Sequence, residues 1–127
     1  MDRTDMSAAA RAWVAAYEKA WASNDESDIR ALFTDDGAYR TEPWSAPWRG
    51  ADAIVVGWVS HADEPDDYSF TYDLAGVDGE RVFIEGRTVY SATDSESERD
   101  YRNLWVIDLA PDGRARSFTE WYMRRRD

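Results

Sequence analysis

Two runs decide the fold class: Asp100-Tyr101-Arg102-Asn103-Leu104-Trp105-Val106-Ile107-Asp108-Leu109 and Ala115-Arg116-Ser117-Phe118-Thr119-Glu120-Trp121-Tyr122-Met123-Arg124. Both alternate at a period of two, and Pro111-Asp112-Gly113 between them is a turn in which proline presets φ and glycine accepts φ > 0. In the first run Tyr101, Asn103, Trp105, Ile107 and Leu109 share one face, and Arg102, Leu104, Val106 and Asp108 share the other. The odd face is the more apolar and is read as the inner one. Its lone polar member, Asn103, must satisfy an amide there with protein groups or with a ligand. In the second run Phe118, Glu120 and Tyr122 share a face. Turned inward, a carboxylate between two rings has its pKa raised by desolvation, unless a cation or donor holds it charged; turned outward, it is simply solvated. A raised carboxyl is a general acid or base, and a paired one is a fixed anchor.

The hairpin register decides which face Glu120 joins. Pairing Ala110 with Arg114 sets Trp105 opposite Thr119 and Asp108 opposite Arg116, whereas a slip of one sets Trp105 opposite Glu120. Both registers remain open at this level.

Working upstream, residues 68–77 and 81–92 read as two more strands, joined by the tight turn signal Asp78-Gly79 and followed by a longer polar loop over 93–99. Residues 7–22 form an amphipathic helix with Met6, Ala9, Ala10, Trp13, Val14, Tyr17 and Trp21 on one stripe and Thr4, Asp5 or Ser7 as its cap. The acids and capping side chains of residues 24–28 open a short second helix carrying Ile29, Leu32 and Phe33. A short strand at 38–41 and a loop containing Pro43 and Pro47 lead to a third helix at 51–62. That helix turns Ile54, Val55, Trp58 and Val59 inward, although Gly57 and the β-branched run lower its propensity. A polar connector at 61–67 completes the helical part. The resulting class is α+β: a curved antiparallel sheet of successive hairpins, covered on one face by three N-terminal helices.

The 127 residues suit a single domain spanning 1–127. Seven Trp, seven Tyr and four Phe exceed what a minimal core needs and fit a ring-lined cavity. With 26 acidic and 15 basic residues the formal charge is −11, which disfavours nucleic acid and anionic membranes as partners. The absence of cysteine removes disulfide, thiolate and zinc-thiolate chemistry, and one histidine, His61, is too few for a histidine-based metal cluster. Asp2, Arg3 and Asp5 precede a modest helix, so the start reads as neither signal peptide nor membrane span, and a cytoplasmic setting is expected. Glu85 and Arg87 share a face with Phe83 and Val89; Arg87 either clamps Glu120 or joins Glu85 in a surface pair. The terminal Arg124-Arg125-Arg126 run reads as a solvated tail.

The order of three helices and a curved sheet, from the aromatic first helix Trp13-Val14-Ala15-Ala16-Tyr17 to the terminal Phe118-Thr119-Glu120-Trp121-Tyr122, resembles the nuclear-transport-factor-2-like superfamily and its SnoaL-like branch. The resemblance implies a cone whose mouth is closed by helices, an interior pocket, and dimerisation through the outer sheet face. Ala38-Tyr39-Arg40-Thr41-Glu42-Pro43 is similar to the first-strand motif of limonene-epoxide hydrolases, with Thr41 in place of their asparagine. Counted from Gly113, Glu120 falls where their last-strand aspartate lies, which implies the register that turns Glu120 inward. Their third-strand Arg-x-Asp pair aligns with Arg81-Val82-Phe83, which lacks the acid, while Glu85-Gly86-Arg87 carries both charges in reversed order. Ketosteroid isomerase-like proteins place an acid where Trp105 stands, although Tyr17 is a candidate for their phenol donor.

The expectation is a pocket for a small, largely apolar or aromatic molecule among Tyr17, Tyr39, Thr41, Trp44, Trp58, Glu85, Asn103, Trp105, Phe118 and Tyr122. Glu120 is then the acid or base, Tyr39 orients water or a carbonyl, and Arg87 sets the charge state. No metal or redox cofactor is required for the hydrolysis, dehydration, isomerisation or cyclisation this implies. The rival expectation is a non-catalytic ligand-binding or dimerisation module. A homodimer is expected through Leu104 and Val106 on the outer sheet face, joined by Ile84 if its strand is in the corresponding register.

Overall fold

In a computed structural model describing residues 2–63 and 67–126, helix α1 (Arg3–Ser23) begins at Asp2, whose Oδ1 accepts the Asp5 backbone N–H at 2.8 Å. The cap therefore lies ahead of Thr4, Asp5 and Ser7, because Asp2 already satisfies a first-turn donor. The helix ends at Asn24, which adopts the left-handed conformation at φ 51° and returns its N–H to the Ala20 carbonyl. Helix α2 (Glu26–Arg30) is capped by Asp25 and holds Ile29 in the core; Leu32 and Phe33 are buried as expected but lie beyond the helix. Phe33 instead opens strand β1 (Phe33–Arg40), longer than the segment its alternation suggested and interrupted by an irregularity between Phe33 and Ala38.

Strand β2 (Trp48–Arg49) folds back on β1, and helix α3 (Ala51–Ser60) follows. Its inner side is Ile54 and Trp58, with Val55 half-buried, but Val59 is exposed, so the apolar stripe is narrower than its β-branched run implied. Of the polar connector, Glu64, Pro65 and Asp66 lie outside the described residues, as do Met1 and Asp127. Strands β3 (Tyr68–Asp78), β4 (Arg81–Tyr90), β5 (Arg99–Leu109) and β6 (Ala115–Arg124) then run as successive antiparallel neighbours. The sheet order is β2-β1-β6-β5-β4-β3. Because β1 joins β6 in parallel, the sheet is mixed, with antiparallel pairing everywhere else.

Two bulges bend this sheet into an open cone. Leu74 pairs with Ile84 and Gly76 with Phe83, which leaves Ala75 as an extra residue in β3. Asp108 pairs with Ser117 but Leu109 with Ala115, which leaves Arg116 as an extra residue in β6. Each adds local twist. The second also resolves the hairpin register. Ala110 does donate its N–H to the Arg114 carbonyl, closing the Pro111-Asp112-Gly113 loop, yet Trp105 lies opposite Glu120 because the bulge at Arg116 shifts the strand by one. Asp108 accordingly meets Arg81 and the Ser117 hydroxyl, and Arg116 reaches Glu80.

The concave face carries Val82, Ile84, Gly86 and Thr88 from β4, Asn103, Trp105, Ile107 and Leu109 from β5, and Phe118 from β6, packed beneath α1. Ile84 is fully buried on this inner face opposite Trp105, so it does not join Leu104 on the outer one. Trp13 packs against Phe33, Trp105 and Phe118, and its indole N–H donates to the Leu32 carbonyl at 2.9 Å, so this large ring is buried without an orphaned donor.

Gly57, unfavourable by propensity, has a packing reason: a Cβ there would run into the Trp48 ring, itself stacked on Tyr39 at 5.0 Å. Gly57→Ala should gain about 1 kcal/mol in helix propensity. Overpacking should cost roughly 1–3 kcal/mol, so the thermal midpoint should fall by a few degrees. A midpoint at or above the parent's would show that Trp48 moves aside freely.

Candidate functional site

The cone encloses a cavity of about 430 Å³ between the concave sheet, α1 and α3. Strand alternation supplies its floor: Thr88 and Tyr90 from β4, Tyr101, Asn103 and Trp105 from β5, and Glu120 and Tyr122 from β6. Tyr17, Trp21, Asn24, Trp58 and His61 from the helices and their ends, with Tyr39, Thr41 and Trp48, form the opposite wall.

A relay of hydrogen bonds crosses three strands at the floor. The Thr88 hydroxyl donates to Asn103 Oδ1 at 2.8 Å, and the Asn103 amide reaches Glu120 Oε1 and Oε2 at 3.3 Å each. The buried Asn103 is thus oriented from one side and directs its donors to the carboxyl on the other. Burial pushes the Glu120 carboxyl up to about 8, with the Asn103 amide and the Trp105 indole opposing that rise. The Trp105 indole nitrogen is nonetheless buried without a hydrogen-bond partner, so its pull on Glu120 falls short of a formed bond. Among the described residues no cation pairs with Glu120. Desolvation therefore dominates, and the neutral acid prevails at neutral pH.

Facing this floor, the Tyr17 and Tyr39 hydroxyls lie 2.9 Å apart. Burial raises both, Tyr17 well above the ordinary phenol value, so each keeps its proton. One hydrogen bond between two hydroxyls uses one proton and leaves the other for a guest. Nearer the mouth, Asp63 Oδ2 accepts from the Trp21 indole at 3.0 Å and the Tyr90 hydroxyl at 3.1 Å, and the Asp63 carbonyl accepts from the Asn24 amide. Asn24 Oδ1 in turn accepts from the Trp58 indole at 3.0 Å, so the left-handed cap of α1 also fastens α3.

Glu120, Tyr39, Tyr17, Thr41, Trp58, Asn103, Trp105 and Tyr122 all border the cavity. Four expected residues do not. Arg87 lies on the outer face, gripped by both oxygens of Asp100 at 3.0 and 2.7 Å, because inward positions on β4 are even-numbered. Glu85 is exposed on that same face for the same reason. Trp44 is 85% exposed, and the ring its loop contributes is that of Trp48. Phe118 is fully buried behind Tyr17 and Tyr39, a core residue rather than a lining one. The sequence reading missed Asp63, Asn24, Thr88, Tyr90 and Arg99. Alternation from Val82 through Ile84 and Gly86 would have found Thr88 and Tyr90, whereas nothing local marks Asp63 among its acidic neighbours. No cluster of three or more His, Asp or Glu residues among the described residues is placed to hold a metal ion.

A family model described as a SnoaL-like domain matches residues 11–118. No curated protein matches the sequence. Among solved structures the fold is similar to that of a nuclear-transport-factor-2-like protein of unknown function from Burkholderia pseudomallei, with TM-score 0.69, 19% identity and 89% of each chain covered. It is also similar to SalBIII, an epoxide hydrolase/cyclase-like enzyme with a role in pyran ring formation in the polyether salinomycin, with TM-score 0.68, 18% identity and 89% of each chain covered. A computationally designed 17-OHP binder matches with TM-score 0.66 and 13% identity over 91% of this chain and 96% of that one. Identities this low carry the fold and not the activity.

The raised Glu120 carboxyl has a consequence for stability. Between the ordinary value of 4.5 and about 8 the folded chain holds a proton that the unfolded chain has released. This contribution is complete at the acid end and is lost as pH rises through about 8. Glu120→Gln removes the dependence while keeping an acceptor for Asn103. Its stability relative to the parent should improve from acid to alkaline pH by roughly 1–3 kcal/mol. Denaturant midpoints of both proteins across that range measure it, and a constant difference would mean that Glu120 titrates normally.

Proposed function

From the premise that this chain belongs to the SnoaL-like domain family, we propose that it takes up a small, largely apolar molecule in the ring-lined cavity and transforms it by proton transfer at Glu120. The observation that carries this reading is a carboxyl raised to about 8 by desolvation, facing a cavity, with no cation paired to it among the described residues. Such a group is protonated at neutral pH yet close enough to its titration to exchange the proton, as a general acid or base requires. Asn103 positions Glu120, and the Tyr17–Tyr39 pair offers its spare proton to an oxygen of the guest. The reaction class is hydrolysis, dehydration, isomerisation or cyclisation, each a proton relocation that these side chains carry out without a resident metal or redox group. The whole chain acts as one domain, in a cytoplasmic setting. Among the described residues no helix is long and apolar enough to cross a membrane.

A second reading, a non-catalytic binding module, is favoured by one observation: Asn103 and Asp63 already spend their polar atoms on protein partners. A generic proton-abstraction probe separates the two. Nitrobenzisoxazole loses its ring C–H proton to a base as its N–O bond breaks, and the electron pair ends on the phenolate oxygen. Because the anion is the base, the rate should rise with pH through about 8. Glu120→Gln should remove roughly 10²-fold or more of it. Probe binding with no rate above buffer, or a rate indifferent to Glu120→Gln, supports the binding module and rejects the catalytic reading.

We propose also that the chain forms a homodimer through the outer sheet face. Leu104 and Trp121 are opposed across β5 and β6 and expose 38% and 50% of their surface, with half-buried Val106 beside them. Adjacent apolar side chains of this size on a sheet are better covered than solvated. Light scattering should give a dimer for the parent and a monomer for Leu104→Glu; a monomeric parent at tens of micromolar, a concentration typical of moderate affinity, rejects the proposal.

A further inference from the structure

Arg99, at the start of β5, borders the same cavity as Glu120, with its guanidinium carbon 5.0 Å from the centre of the Tyr90 ring. Its Nε is buried and has no hydrogen-bond partner. Among the described residues its one ion-pair partner is Glu96, at 3.6 Å and more than half exposed, a contact too long for a hydrogen bond. Other arginines of this sheet are treated differently. Arg81 meets both oxygens of Asp108, and Arg87 both oxygens of Asp100, through two parallel contacts. Among the described residues Arg99 thus carries the same flat fork with no hydrogen-bonded carboxylate in it, held over a ring at the edge of a cavity.

The described acidic groups on that wall do not enter the fork. Asp63 is engaged by Trp21 and Tyr90, and it makes no ion pair with Arg99; Asp67 makes none either. Glu120 is turned to Asn103. Because the protein as a whole is strongly acidic, a guanidinium at the cavity edge that is only loosely paired with Glu96 is where an acid can be selected over a base of the same shape.

We propose that Arg99 receives a carboxylate of the ligand, so that the molecule this cavity takes is an amphipathic acid: an apolar or aromatic body among the rings, and one carboxylate in the Arg99 fork. This rests on the cavity reading given above and deepens it by naming the ligand class. A guanidinium presents parallel donors that match the two carboxylate oxygens, and its seat over the Tyr90 ring holds it at the cavity edge. The arrangement orients a guest as well as attracting it, since its charged end is fixed at β5 and its body must then extend toward Glu120 and the tyrosine pair.

Two probes of nearly equal shape test this, naphthoate and naphthamide, by equilibrium dialysis against the full-length chain at neutral pH. Naphthoate should bind roughly tenfold or more tightly than naphthamide, the increment a charge-assisted fork provides. Arg99→Gln should weaken naphthoate far more than naphthamide and abolish the preference between them, with a circular dichroism spectrum matching the parent's showing that the variant is folded. Equal affinity of the two probes for the parent, or a preference that survives Arg99→Gln, overturns the assignment and leaves the cavity reading standing. Equal weakening of both probes in Arg99→Gln makes Arg99 a packing partner of Tyr90 and also overturns it. Binding of neither probe overturns the inference together with the cavity reading beneath it.

Discussion

The pairing of Trp105 with Glu120 across β5 and β6 is the constraint around which the molecule is arranged. It places a carboxyl on the concave face, where rings exclude the water that would otherwise solvate it. An ionised carboxylate there needs partners, and the described residues supply an amide but no cation. The neutral form and the Thr88–Asn103–Glu120 relay are the physical answer. That relay joins three consecutive strands through side chains, so the orientation of the acid is set by the sheet itself and not by a loop. Precision of this kind is what proton transfer demands of a scaffold.

The aromatic load has a second use beyond volume. Most of these rings carry a polar atom, and in seven of them it is hydrogen-bonded: Trp13 on the Leu32 carbonyl, Trp21 and Tyr90 on Asp63, Trp58 on Asn24, Tyr17 with Tyr39, and Tyr122 on Glu42. Tyrosine and tryptophan let one residue both fill the cone and stitch its parts. Phenylalanine is kept for places with no such task, as with Phe118 behind the tyrosine pair and Phe70 stacked at 4.9 Å on Trp105. The mouth is therefore held chiefly by directional contacts and the base by packing.

Much of this was legible in the sequence where period decides the answer. The alternation of β5 gave its inner face, Asn103 included, and the three-and-four spacing of Met6, Ala10, Trp13 and Tyr17 gave the buried side of α1. What failed to read correctly depended on features without a period. Charges at i and i+2 leave Arg87 open between a clamp on Glu120 and a surface pair with Glu85, and the parity of β4, set by Val82 and Ile84, turns both residues outward, where Arg87 pairs with Asp100. Trp44 and Trp48 sit in one loop, and only the short β2 pairing with β1 tells which of them turns in. Asp63 lies in an acidic stretch where composition is uniform, and its role arises from Trp21 and Tyr90, distant in the chain. Long-range choices of this sort are fixed by the tertiary structure and leave little local trace.

The bulge at Arg116 gives the hairpin an unusual relation to chain length. An insertion or deletion in the polar loop after Tyr90 is absorbed where the strands have already ended. One between Leu109 and Phe118 that neither the turn nor the bulge absorbs instead exchanges the two faces of β6, bringing Trp121 and Met123 into the cone and sending Glu120 and Tyr122 out. The same ten residues would then encode an apolar interior and an acidic exterior. Within a lineage carrying this fold, a single codon gained or lost at that corner is a route by which an acid–base cavity turns into a greasy, chemically silent one without any change of side-chain identity.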